Sequence, residues 1–198
     1  MKTSDKQKAM DEFKSIGVNE LLPLLERGPV TLLNESGGKL HGVMSAELVN
    51  ATEETAWNVL LDYPSYPRFM HAINISKVLS KKENEFVVRF EAGVKVMGVG
   101  GTVKYVYHLR VKKPYINIYN KATGNQTGYW AVLPVEGSDH IVLVHSNVSS
   151  SIMEMSKILK FVVEKVPSAE LGLRISPVVM MVNDMKRQME KVHSMAQG

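Results

Sequence analysis

The sequence predicts an α+β fold: a curved antiparallel β-sheet wrapped around a long C-terminal α-helix, with two short helices and an N-terminal helical extension. Three observations predict it. From Ser76 to Ser149 the chain runs as short strand-like segments separated by tight turns. From Val178 onward, Val178, Met181, Val182, Met185, Met189, Val192 and Met195 form an apolar stripe at helical period, with Lys186, Arg187, Glu190 and Lys191 on the other side. Between two strand-like runs, residues 51–79 hold a short amphipathic helix that ends in a bend rich in proline and aromatics.

At the N-terminus, Ser4 to Ile16 reads as a helix with Ala9, Met10, Phe13 and Ile16 on one face and Gly17 as its stop. Asn19 to Arg27 is a second helix containing Pro23 and closed by Gly28. Residues 1–28 thus form an extension packed outside a domain that spans 29–198, and a partner-binding role is open to them. Pro29 to Asn34 and Leu40 to Asn50 are two strands joined by a turn at Ser36-Gly37-Gly38. In the following helix Thr52 is the expected N-cap, Glu53 and Glu54 suit the positive end of the helix dipole, and Ala56, Val59 and Leu60 share a face. Pro64 and Pro67 stop that helix. Asp62 is expected to hold the bend by a local hydrogen bond.

Six strands follow, at Ser76–Lys81, Glu85–Val96, Thr102–Val111, Tyr115–Lys121, Thr127–Val135 and His140–Ser149. In the second, Phe86, Val88, Phe90, Ala92, Val94 and Val96 alternate with Glu85, Arg89, Glu91 and Lys95, which places Arg89 and Glu91 on the surface. In the third, Val103, Tyr105, Tyr107, Leu109 and Val111 alternate with polar residues, so the tyrosine hydroxyls are expected to be buried and to need partners. The glycines of GVKVMGVGG, Gly93 to Gly101, read as a β-bulge or bend. A phosphate loop would need a Lys-Ser/Thr ending and a following helix. Met153 to Val166 is a further helical segment, Ala169 to Ile175 a helical turn, and Ser176-Pro177 an N-cap and first-position proline that start the last helix.

Residues 51–79 also carry a resemblance. The pattern A-x-x-E-x-x-W, then L-x-D-Y-x-x-Y-x-x-F-M, then S-K-V-L falls here on Ala51, Glu54, Trp57, Leu60, Asp62, Tyr63, Tyr66, Phe69, Met70 and Ser76 to Leu79. It is similar to the opening of the polyketide cyclase/dehydrase and coenzyme-Q-binding branch of the START-like (SRPBCC, Bet v 1-like) helix-grip superfamily. Many relatives carry a proline after the F-M pair, and His71 stands in that place here. Gly128-x-Trp130 resembles the family's G-x-W-x-L-x-P stretch, with Pro134 in step and the leucine one place late at Leu133.

Composition narrows the function. With 44% hydrophobic and 22% charged residues the chain has ordinary globular composition. There is no cysteine, hence no disulfide, thiolate metal site or cysteine nucleophile, which suits a cytoplasmic setting. The N-terminus has no apolar signal-peptide core. No charge-free stretch is longer than Ala122 to Val135, so stable membrane insertion is not expected. The net charge of +4 is dispersed, without the basic stripe of a nucleic-acid binder. None of His41, His71, His108, His140, His145 and His193 pairs at metal-ligand spacing on one face, and no nucleophile elbow is present. No metal, cofactor or catalytic constellation is assigned, and the oligomeric state is not legible.

A straight helix and a curved sheet do not match along their length, so a cavity between them is expected. Its expected lining is Phe90, Tyr105, Tyr107, Leu109, Trp130, Met181 and Met185, with Tyr63, Tyr66, Phe69 and Met70 at its mouth and the last three as gate candidates. Twelve methionines, crowded toward the C-terminus, fit either an adaptable apolar surface or simple core filling. The expected function is binding, as carrier or sensor, of a small hydrophobic molecule. The resemblance supplies the ligand class: a lipid, an isoprenoid quinone or a polyketide-like compound. It also implies two alternatives: a cyclase or dehydratase with Tyr or Asp as acid and base, and a protein-interaction module of the ribosome-associated or quinone-synthesis type.

Overall fold

The computed structural model describes residues 3–96, 99–148 and 169–198. Its eight strands form one fully antiparallel sheet in the order β1-β2-β8-β7-β6-β5-β4-β3. The strands are β1 Val30–Ser36, β2 Lys39–Asn50, β3 Ile73–Lys82, β4 Glu85–Val96, β5 Val99–Lys112, β6 Tyr115–Asn120, β7 Gln126–Pro134 and β8 His140–Asn147. From β3 to β8 each strand pairs antiparallel with the next, the expected meander. β8 then closes against β2, so the chain crosses the whole sheet between β2 and β3. That crossing is α3 (Glu53–Leu61) followed by a 3-10 turn, Tyr63–Arg68.

The two sheet faces separate by residue parity, and each has its own cover. On one face Val49, Phe86, Val88, Phe90, Leu109, Ile116, Ile118, Trp130, Val132, Ile141 and Leu143 share a core with α3, the 3-10 turn and the C-terminal helix α4, Ala169–Gln197. On the opposite face Met44, Ala46, Tyr129, Ala131, Val142 and Val144 pack against Phe13 of α1 (Thr3–Ser15) and Leu21 and Leu25 of α2 (Val18–Leu25). Ala9, Met10 and Val148 extend that second layer. The N-terminal helices therefore complete a three-layer arrangement. Close approach of α1 needs Gly42: a Cβ there would lie 2.9 Å from both Phe13 and Val148.

Local chemistry sets the element ends. Thr52 caps α3 by accepting the Thr55 N–H at 3.2 Å. Gly17 opens α2, and its N–H donates to Glu20 at 3.1 Å. Gly28 ends that segment at φ +142, a conformation that side chains disfavour.

Several expectations are corrected. Ser176-Pro177 does not start the last helix, which runs unbroken from Ala169 with Pro177 inside it. Proline's φ is helical, and its missing N–H removes a single hydrogen bond from a long ladder. Met195 is 72% exposed and leaves the stripe, because the helix outruns the sheet that buries Val182, Met185 and Met189. Lys186 and Glu190 face the sheet rather than solvent: Lys186 pairs with Glu47 of β2 at 3.4 Å, and Glu190 accepts the Asn50 N–H at 3.2 Å. Glu91 is buried, not on the surface, and lies 3.6 Å from both Arg89 and Lys104. The β4–β5 pair keeps regular register throughout, so no bulge lies at Gly93, Gly100 or Gly101. The segment Met153–Val166 lies outside the described residues.

Candidate functional site

The cavity forms where α4 stands off the curved sheet, as the mismatch of straight helix and bent sheet predicts. Its volume is about 200 Å³. One wall is β4 to β6, with Phe90, Ala92, Val103, Tyr105, Tyr107, Leu109, Ile116 and Ile118. A second is Trp130 of β7 with His145 and Asn147 of β8 and Val43 of β2. Leu173, Arg174, Pro177 and Met181 of α4 form the third, and Tyr63, Tyr66 and Ile73 close an end. Strand alternation explains the long wall: every second residue of β5 from Val103 to Leu109 faces inward.

An aromatic chain runs along this surface. Tyr63 meets Tyr66 at 5.5 Å between ring centroids, and Tyr66 meets Phe90 at 6.0 Å. Phe90 lies 5.8 Å from Tyr105, and Tyr105 lies 5.0 Å from Tyr107. Burial holds these phenols in the neutral form, pushing Tyr107 up to about 12 and Tyr105 above it, with Tyr107 adding to the Tyr105 shift. The hydroxyls of Tyr105 and Tyr107 make no hydrogen bond among the described residues, so they stay available to a bound molecule. The Tyr63 hydroxyl is buried and unpaired. Across the cavity Trp130 stacks on His145 with centroids 4.1 Å apart and planes 19° apart.

The expected residues divide. Tyr66, Phe90, Tyr105, Tyr107, Leu109, Trp130 and Met181 line the cavity. Phe69, Met70 and Met185 do not. Met70 and Met185 are buried in the core, and Phe69 packs edge-on against Tyr66 at 5.6 Å. Of the residues expected at the mouth, Tyr63, Tyr66 and Met70 are buried, and the Tyr66 hydroxyl donates to the Leu60 carbonyl at 2.7 Å. Asp62 does not hold the bend with its side chain, which makes no capping bond. Backbone does so instead: Asp62 N–H donates to Val59 and its carbonyl accepts from Ser65. Asp62 is exposed and outside the cavity lining. Of the stripe's methionines, Met185 and Met189 fill the core, Met181 lines the cavity and Met195 is exposed.

His145, Asn147, Arg174 and Pro177 escape the sequence reading. Parity places His145 on the face opposite His140, but its neighbour Trp130 follows only from the β7–β8 register. Arg174 and Pro177 fall in or beside the expected helix start, which hides their place along a continuous helix. Arg174 donates to the Leu40 carbonyl, fixing α4 over β2. Opposite, His71 holds the bend to α4: its backbone N–H and Nδ1 both meet the buried Asp184 carboxylate, at 3.0 and 2.8 Å. Among the described residues no group of three or more His, Cys, Asp or Glu could hold a metal ion, and no helix is long and apolar enough to cross a membrane.

A START-like helix-grip domain is the class that this sheet, helix and cavity define. The chain belongs to the family described as polyketide cyclase / dehydrase and lipid transport, whose sequence profile matches residues 49–167. Solved structures share the fold at low identity. A STAR-related lipid transfer protein fragment from Xanthomonas axonopodis is 14% identical, with a TM-score of 0.62 over 82% of this chain and 93% of its own. Human StAR-related lipid transfer protein 5 is 11% identical, with a TM-score of 0.57 over 99% and 96%. The ZhuI aromatase/cyclase from Streptomyces sp. R1128 is 18% identical, with a TM-score of 0.53 over 76% and 93%. No curated protein matches the chain.

Proposed function

We propose that the protein binds a small hydrophobic molecule in the cavity between α4 and the sheet, as a carrier or sensor. The observation that carries this reading is an aromatic and aliphatic lining interrupted by a few polar groups: the Tyr105 and Tyr107 hydroxyls, His145 and Arg174. Each 100 Å² of ligand apolar surface buried contributes about 2.5 kcal/mol before the costs of association, and the polar groups orient the ligand. The names of the lipid-transfer structures agree with this class, and the isoprenoid quinone and polyketide-like ligands remain within it.

The aromatase/cyclase likeness raises the enzyme alternative, in which a Tyr or Asp acts on an enolisable carbonyl. The cavity lining favours binding instead. It holds no carboxylate among the described residues, and Asp62 lies outside it. Turnover of a poly-ketone that fell with Tyr107→Phe would favour catalysis.

The test uses Trp130 as reporter. In Trp57→Phe, Trp130 is the remaining tryptophan. Its emission is expected to change saturably with quinones or medium-chain lipids. An emission indifferent to every such compound contradicts the proposal.

A further inference from the structure

One nitrogen on the cavity wall is left without a partner, and its chemistry selects among hydrophobic ligands. The Nδ1 of His145 lies 3.1 Å from the Tyr129 carbonyl oxygen. A carbonyl only accepts, so Nδ1 carries the proton and the neutral ring presents a lone pair at Nε2. The ring is 3% exposed, and burial holds its pKa down at about 4, so it stays neutral near pH 7. Trp130 clamps one face of the ring, which fixes the direction of Nε2. No hydrogen bond reaches Nε2 among the described residues, although His145 lines the cavity. Its ladder neighbours, Ser45 on β2 and Trp130 on β7, are uncharged, and the one cation among the described lining residues, Arg174 of α4, is engaged by the Leu40 carbonyl.

An acceptor on a largely apolar cavity wall gains when a ligand donor meets it. A hydroxyl supplies that donor. An ether offers only a second lone pair, and a carboxylate sets a negative charge against the first. Tyr105 and Tyr107, on β5, are three strands from His145 on β8, roughly 14 Å along the sheet. They serve a different part of the ligand and do not compete for this contact.

We propose that the cavity selects a neutral apolar alcohol or phenol whose hydroxyl donates to Nε2 of His145. The inference rests on the ligand-binding reading above and names the ligand's polar end.

Calorimetry on the full chain with 2-naphthol, 2-methoxynaphthalene and 2-naphthoate tests it. The naphthol is expected to bind about tenfold tighter than the ether, the size of one recovered hydrogen bond, and the naphthoate weaker than the naphthol. His145→Phe keeps a ring on Trp130 and removes Nε2, so the preference for naphthol over ether collapses. His145→Gln, which can place an amide oxygen near the same point, restores part of it. Ring-¹⁵N NMR reads the contact in the unmodified protein: the Nε2 resonance moves with 2-naphthol and stays fixed with the ether. Equal affinity for alcohol and ether, a preference that survives His145→Phe, or a naphthoate that binds tightest overturns the assignment and leaves the cavity reading standing. Binding of none of the three overturns both.

Discussion

His145 ties stability to pH as well as shaping the cavity. Its folded pKa of about 4 lies below the ordinary value of 6.5, because burial disfavours the charged ring. Between those values the unfolded chain binds more protons than the folded one, so stability is full above 6.5 and is lost as pH falls toward 4. The loss attributable to this residue is roughly 3 kcal/mol. Denaturant titrations of wild type and His145→Phe across that window check it: the variant's curve is expected to fall less steeply. Gly128 makes a second residue-scale prediction. A Cβ at this position would meet the Ser146 carbonyl oxygen at 2.1 Å, and the clash is with backbone at the centre of the sheet. Gly128→Ala is therefore expected to cost about 3 kcal/mol or more, read as a lowered denaturation midpoint. At this scale the sequence shows which face a strand residue takes. Tyr105, Tyr107 and Leu109 alternate, and all three reach the cavity. It does not show depth along a helix. Met181 and Met185 share one stripe, yet Met181 lines the cavity and Met185 is fully buried beside it. Nor does it show cross-strand neighbours, which is why His145 against Trp130 is invisible until the register is known.

At the scale of elements, the N-terminal helices are a structural layer. Phe13, Leu21 and Leu25 cover the sheet face that carries Met44, Tyr129 and Val144. Phe13→Ala is expected to destabilise the protein by about 3–5 kcal/mol, measured by chemical denaturation. An extension that only recruited a partner would leave the midpoint unchanged. The bend after α3 is held in a comparable way. Asp184 of α4 accepts both the His71 N–H and Nδ1–H, so the residue after the Phe69-Met70 pair ties bend to helix. Asp184→Ala is expected to cost about 1–3 kcal/mol, with the loss showing first as faster amide exchange between Phe69 and Ile73. Strands and short helices were legible because their periods and end signals are local, as at Thr52 and Gly28. The start of α4 was not: Ser176-Pro177 carries a start signal that a helix already formed from Ala169 overrides.

For the whole molecule, sheet and helix together create a cavity that neither makes alone. β8 pairs with β2 and curls the sheet, while α4 packs against β2 and β8 and stands off β4 to β6. The antiparallel meander and the long helix were readable from pattern and turns, whereas the pairing of β8 with β2 was not. The cavity's volume and polar groups were not, because they depend on how far the helix stands from the sheet. Any ligand that enters it stabilises the folded state by mass action, about 2.7 kcal/mol at a hundredfold excess over its dissociation constant. Mass spectrometry under native conditions, on protein purified from its own host, tests this account most directly. The account predicts an adduct of a neutral, apolar, hydroxyl-bearing compound in wild type that Ala92→Phe, which fills the cavity, no longer retains. The bare chain mass in both proteins, or an adduct held equally by both, would contradict it.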